Sequence, residues 1–157
     1  MKKIFLALLL SVVLSPSVSF AQYTFPLTEL QKLTNKNASD FETVMIEKDY
    51  SIQSKLSNAT TKIYWSDKPG VSDKKYIMSR FQVPGGATKL TFSFTDKKHY
   101  LELKKALAAG GFKFVKEENK TVDGVETVWY HYSGNGFTVS LCSYTKDVTW
   151  FVAEAHI

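Results

Sequence analysis

The stretch that decides the fold runs from Thr95 to Tyr144, TDKKHYLELKKALAAGGFKFVKEENKTVDGVETVWYHYSGNGFTVSLCSY. Thr95 and Asp96 are helix-capping residue types, because a short side-chain oxygen reaches the free backbone N–H groups of a first turn. Behind them Tyr100, Leu103, Leu107 and Ala108 recur along one helical stripe, and Gly110-Gly111 ends the helix by supplying left-handed backbone cheaply. The period then changes from helical to alternating. Strands are predicted over 112–117, 126–132 and 137–144, with links at 121–124 and 133–136 short enough for hairpins. After 145–147 a last strand is expected over 148–157.

The residues before this stretch repeat its order. Leu27, Leu30 and Leu33 recur at helical spacing and lead into a loop, and Ser39 or Asp40 is the expected N-cap of a short helix over 41–48. Strands are predicted over 50–56, 61–65, 75–81 and 89–94, separated by turn residues at Ser57-Asn58, at 66–70 and at Pro84-Gly85-Gly86. Shifting the sequence by 62 residues lays Phe41 on Leu103, Met45 on Leu107, Tyr50 on Phe112 and Ile52 on Phe114. The expectation is therefore an α+β domain over 22–157 built from two similar α-β-β-β-β halves, 39–94 and 95–157. Short hairpins favour a single antiparallel sheet of up to eight strands, with helices packed on one face and the other face open to water.

Residues 1–21 read as a secretory signal peptide: Lys2 and Lys3, an apolar run from Ile4 to Val13 broken at Ser11, helix-breaking Pro16, and small residues at Ser19 and Ala21. A periplasmic or secreted protein beginning at Gln22 is the expectation, with no membrane span after cleavage. Two of the 20 basic residues lie in that leader, leaving a mild excess over the 15 acidic ones. Lysines are spread along the chain and Arg80 is the one arginine, a pattern unlike the concentrated basic surfaces of nucleic-acid binders. Cys142 is the single cysteine, so no disulfide forms within the chain, and its place in a strand pattern predicts a shielded thiol.

Candidate functional residues follow from strand alternation. In the strand from Glu126, Val128, Tyr130 and Tyr132 are expected to face the helices, leaving Thr127, Trp129 and His131 on the open side with Cys142 and Tyr144 of the next strand. Trp150, Glu154 and His156 join them by the same parity, although the last strand leaves open whether the side of Val148, Trp150 and Val152 or that of Phe151, Ala153, Ala155 and Ile157 is buried; Lys62, Tyr64, Tyr76, Met78 and Arg80 are assigned the comparable places in the first half. The expected binding set is thus Trp129, His131, Tyr144, Trp150, Tyr64, Tyr76 and Arg80, residue types that offer large contact area at small entropic cost.

A metal cluster from His131, Cys142, Glu154 and His156 was weighed against isolated strand residues, and no HxH, CxxC or HExxH spacing is present. No GxSxG turn or phosphate-binding glycine loop occurs, so no catalytic residue, metal or cofactor is assigned. His99 is expected at the surface. Three Asn-x-Ser/Thr patterns, at Asn37, Asn58 and Asn119, fall in predicted loops, where asparagine is favoured by its local hydrogen bonding.

A tandem helix-plus-four-strand unit with an aromatic sheet face, in an exported chain, resembles the β-lactamase-inhibitor-like (BLIP-like) bacterial exported proteins in organisation over residues 39–157. That resemblance implies recognition of a protein by the sheet face. It transfers no individual residue, and this chain lacks the disulfides typical of the group. The functional expectation is a non-catalytic binding protein acting on a protein or envelope component. A small-ligand or carbohydrate binder, or a small metal-dependent hydrolase, stands as the alternative.

Overall fold

The computed structural model describes residues 24–66, 76–83, 87–122, 124–144 and 150–157. The expected signal peptide and the turns at 67–70, 84–86 and 145–147 lie outside them. Among the described residues three helices, α1 (Leu27–Thr34), α2 (Ala38–Glu47) and α3 (Lys97–Ala109), accompany one eight-stranded antiparallel sheet. Its strands are β1 (Ser51–Ile52), β2 (Thr61–Ser66), β3 (Tyr76–Gln82), β4 (Thr88–Phe94), β5 (Lys113–Val122), β6 (Val125–Gly134), β7 (Phe137–Tyr144) and β8 (Phe151–His156). They lie in the order β1-β2-β3-β4-β8-β7-β6-β5, so two four-stranded meanders meet where β4 pairs with β8. No helix among the described residues is long and apolar enough to cross a membrane.

Each helix starts where a side chain or a proline handles the free N–H groups. At α3 the Asp96 carboxylate accepts from the N–H of Lys98 at 2.9 Å and of His99 at 3.4 Å. At α2 the cap is Asn37 rather than Ser39 or Asp40: its Oδ1 accepts from the Asp40 N–H at 2.9 Å, which draws Ser39 and Asp40 into the first turn. Both α2 and α3 end alike. Asp49 (φ 60°) and Gly111 (φ 75°) adopt left-handed backbone, and the next N–H reaches back five residues, Tyr50 to the Met45 carbonyl at 2.9 Å and Phe112 to that of Leu107 at 3.1 Å. These pairs are 62 residues apart, as are buried Phe41 and Leu103.

The alternation of β4 fixes which side of the sheet is core. Thr88, Leu90, Phe92 and Phe94 are buried, whereas Lys89, Thr91 and Ser93 are not. Across the seam, β8 sets Phe151, Ala153 and Ala155 on the same side, and α1 packs over these two strands with Leu27, Leu30 and Leu33 turned inward. Phe92 is the hub of this core. Its ring lies 4.9 Å from Phe94, 5.1 Å edge-on from Phe25, 5.8 Å from His99 and 6.1 Å from Tyr76.

His99 is accordingly not a surface residue. Only 5% exposed, it is wedged against Phe92 and Phe94, because its place one residue before Tyr100 turns it under the helix. Desolvation holds its imidazole below the ordinary 6.5, outweighing the opposing pull of Glu102 and Asp96.

The sheet edges are unlike each other. β1 has two residues, not the seven expected over 50–56, because a turn at Leu56 and the Asn58 side chain take over: Asn58 Oδ1 accepts from the N–H groups of Thr60 and Thr61, both at 2.9 Å. β5 runs ten residues, beyond the expected 112–117, and is interrupted by a bulge between Phe114 and Lys116.

Two stability predictions follow from this core. Phe92→Ala should lower unfolding stability by about 3–5 kcal/mol, read from the denaturant midpoint, since the cavity lies beneath three packed elements. Because the unfolded chain protonates His99 before the folded one, stability should be full above about pH 7 and fall as pH drops through the ordinary imidazole range. A urea midpoint series from about pH 7.5 to 5.5 should show that decline, and His99→Phe should make it shallower.

Candidate functional site

Antiparallel partners share a face, so the register lays out the side opposite the helices row by row. One row reads Trp65, Ile77, Ser93, Val152, Cys142, Trp129 and Glu118 from the β2 end to β5. The next reads Ile63, Ser79, Thr91, Glu154, Ser140, His131 and Lys116. Phe81, Lys89, His156 and Thr138 follow. The helix contacts described above fall on the other parity. Most of these side chains are half-buried, each shielded laterally by its neighbours.

Trp129, His131 and Tyr144 stand on this face as expected, with Glu154 and His156. Trp150 is half-buried and immediately precedes β8. The first-half assignment was inverted. Tyr64, Tyr76 and Arg80 are 2%, 8% and 7% exposed and point to the helix side, as does Met78. Register explains it: Tyr64 pairs with Met78 and Met78 with Phe92, while Arg80 pairs with Leu90, so all join the buried set of β4. Trp65, Ile77 and Phe81 occupy the open face instead. The signal that finds them is the unambiguous alternation of β4, carried strand by strand through the hairpin to β3.

At the β5–β6 end the polar groups form one connected network. Trp129 Nε1 donates to Thr127 Oγ1 at 3.1 Å, and Thr127 Oγ1 donates to the Lys120 carbonyl at 2.9 Å. The Lys120 ammonium lies 5.6 Å from the Trp129 ring centre, within cation–π range, and 3.3 Å from Glu118 Oε2. Lys116 reaches the same oxygen at 3.0 Å, and hydrogen bonds from these two lysines hold the Glu118 carboxyl below its usual range. Glu118 lies one residue beyond the strand expected over 112–117, and the extended β5 turns it onto the face.

His131 bridges Glu118 and Ser140. Its Nε2 lies 3.1 Å from Glu118 Oε2 and its Nδ1 2.7 Å from Ser140 Oγ. An ionised carboxylate only accepts, so Nε2–H donates to Glu118, and in the neutral ring the Ser140 hydroxyl donates to Nδ1. Hydroxyl, imidazole and carboxylate thus stand in the order of an acyl-transfer relay. The setting differs: Ser140 is 4% exposed and mid-strand, and β7 is laddered on both sides, which commits the backbone N–H groups an oxyanion would need.

Of the four candidate metal ligands, three are paired or buried, and His156 Nδ1 is buried without a hydrogen-bond partner. Glu154 pairs with Lys89 at 2.9 Å, His131 is held as above, and Cys142 is buried. Among the described residues no three of His, Cys, Asp and Glu converge as a metal site.

Cys142 is 1% exposed, and burial pushes its thiol up to about 11, with the adjacent Thr127 side chain acting the other way. A thiol reagent at pH 8 should therefore label native protein negligibly and label the single cysteine fully in guanidinium. Fast native labelling would show that this part of the face opens.

In comparisons with protein-family models, curated proteins and solved structures, nothing matches this chain.

Proposed function

We propose that this chain is an exported, non-catalytic binding protein that docks its open sheet face against a protein partner in the cell envelope or outside the cell. The observation that carries the reading is the row from Trp65 to Trp129, with Ile77 and Val152 between the two indoles and short polar residues beside them. Aromatic anchors separated by small hydroxyl side chains, with Lys89, Glu154, His131 and Lys116 around them, suit a broad protein contact with charged groups setting register. A cleft of about 370 Å³ lies at the far end of β5 and β6, lined by Lys120, Glu126 and Thr127, away from the middle of the face. The commitment of the β7 backbone to its ladders supports a binding role over acyl transfer.

We also read the two halves as copies of one α-β-β-β-β unit. The matched helix ends at Asp49 and Gly111, and the equivalent hydrogen bonds of Tyr50 and Phe112, support that origin.

The test uses the chain from Gln22 as immobilised bait for envelope and culture-fluid proteins. Trp65→Ala with Trp129→Ala should weaken capture of the retained protein by about 30-fold or more, at about 2 kcal/mol for an aromatic anchor. Circular dichroism and the unfolding midpoint report that the variant is folded. Undiminished capture by the folded double variant, or capture that survives protease treatment of the extract, overturns the proposal.

A further inference from the structure

Arg80, displaced from the open face, stands in an unusual electrostatic position. It is 7% exposed, yet among the described residues its hydrogen-bond partners include no carboxylate. Its Nη2 makes three long contacts, all to neutral acceptors: the Lys36 carbonyl at 3.4 Å, Gln82 Oε1 at 3.3 Å and Thr88 Oγ1 at 3.3 Å. Its Nε–H is buried with no partner. The guanidinium also lies 5.9 Å from the Phe41 ring centre, which offsets little of the cost of a dehydrated charge.

The three acceptors belong to residues that line a cleft of about 460 Å³ between the α1–α2 link and the ends of β3 and β4, with Asn35 and Ile157 in the same wall. Two further features make that cleft positive. Lys36 contributes a second cation, and Asn37, the N-cap of the ten-residue α2, places the positive end of that helix at the wall.

We propose that this cleft binds a small monocarboxylate, whose anionic group completes the hydrogen bonding of Arg80. A guanidinium whose Nε–H has no partner and whose Nη2 is weakly held lacks the two parallel bonds with which a carboxylate fills its planar fork. One negative charge balances the one buried positive charge. A dianion is disfavoured by the Asp40 carboxylate, which accepts from Nδ2 of the wall residue Asn37 at 3.0 Å. The amide and hydroxyl groups of Asn35, Gln82 and Thr88 suit a short carboxylate with a polar substituent. This site is on the helix side of the sheet and is independent of the docking face.

The probes are acetate, glycolate, inorganic phosphate and chloride, titrated at constant ionic strength into the chain from Gln22. Readouts are the Arg80 side-chain Nε–H resonance and the thermal midpoint. Acetate and glycolate should move the Nε–H signal saturably and raise the midpoint as specific ligands of the native state do. Arg80→Met removes the uncompensated charge while keeping the stem, so the variant should melt at least as high as wild type in chloride alone and bind acetate about tenfold or more weakly. A wild-type signal indifferent to both carboxylates, an equal response in Arg80→Met, or a preference for phosphate overturns the assignment. So does a variant that melts well below wild type in chloride, because Arg80 is then already satisfied within the fold.

Discussion

The pairing of β4 with β8 is the constraint on which the rest of the molecule depends. Each meander alone would expose two edges and lack a strand to carry its alternation inward. Joined, they share one ladder in which Phe92 sits opposite Ala153 and Leu90 opposite Ala155, large against small. That pairing leaves room for α1 to lie over the seam, and the aromatic hub at Phe92 then draws in Phe25 from the chain before α1 and His99 from α3. The parity set at the seam propagates outward through six further strands. A side chain's role as core or surface is decided by its distance, in strands and residues, from β4.

Much of this was legible before coordinates. Helical spacing at Leu27, Leu30 and Leu33, the cap at Asp96 and the end at Gly111 are local signals, and local hydrogen bonding enforced them. The faces of β6 and β7 were also readable, because Val139 and Leu141 oppose Thr138 and Ser140 without ambiguity. In β2 and β3 both parities carry bulky residues. Tyr64 adjoins Trp65, and Tyr76, Met78 and Arg80 alternate with Ile77, Ser79 and Phe81, so composition could not choose and only pairing with β4 did. Bounds failed where tertiary pairing overrode local preference. Lys120, Thr121 and Val122 resemble a loop, yet β6 holds them in a ladder, whereas the strand-like residues after Ile52 yield to the turn around Asn58.

The electrostatic design separates exposed from buried charge. Glu118 gathers Lys116, Lys120 and His131 in contact with water, where such pairs add little to stability but fix the posture of Trp129. Arg80 is enclosed with neutral acceptors only, and its charge has no comparable relief from solvent. The same residue type would be unremarkable on the open face. Its register in β3, opposite Leu90, is what makes it informative.

The margins of the sheet carry a consequence for how the molecule meets others. On one side the terminal strand is two residues long; on the other, β5 is long but bent by its bulge and studded with Lys113, Lys116 and Lys120. Neither offers the flat, uncharged ribbon that an incoming chain needs to extend a sheet. Both margins are thereby poor templates for lateral growth into fibrils by main-chain pairing.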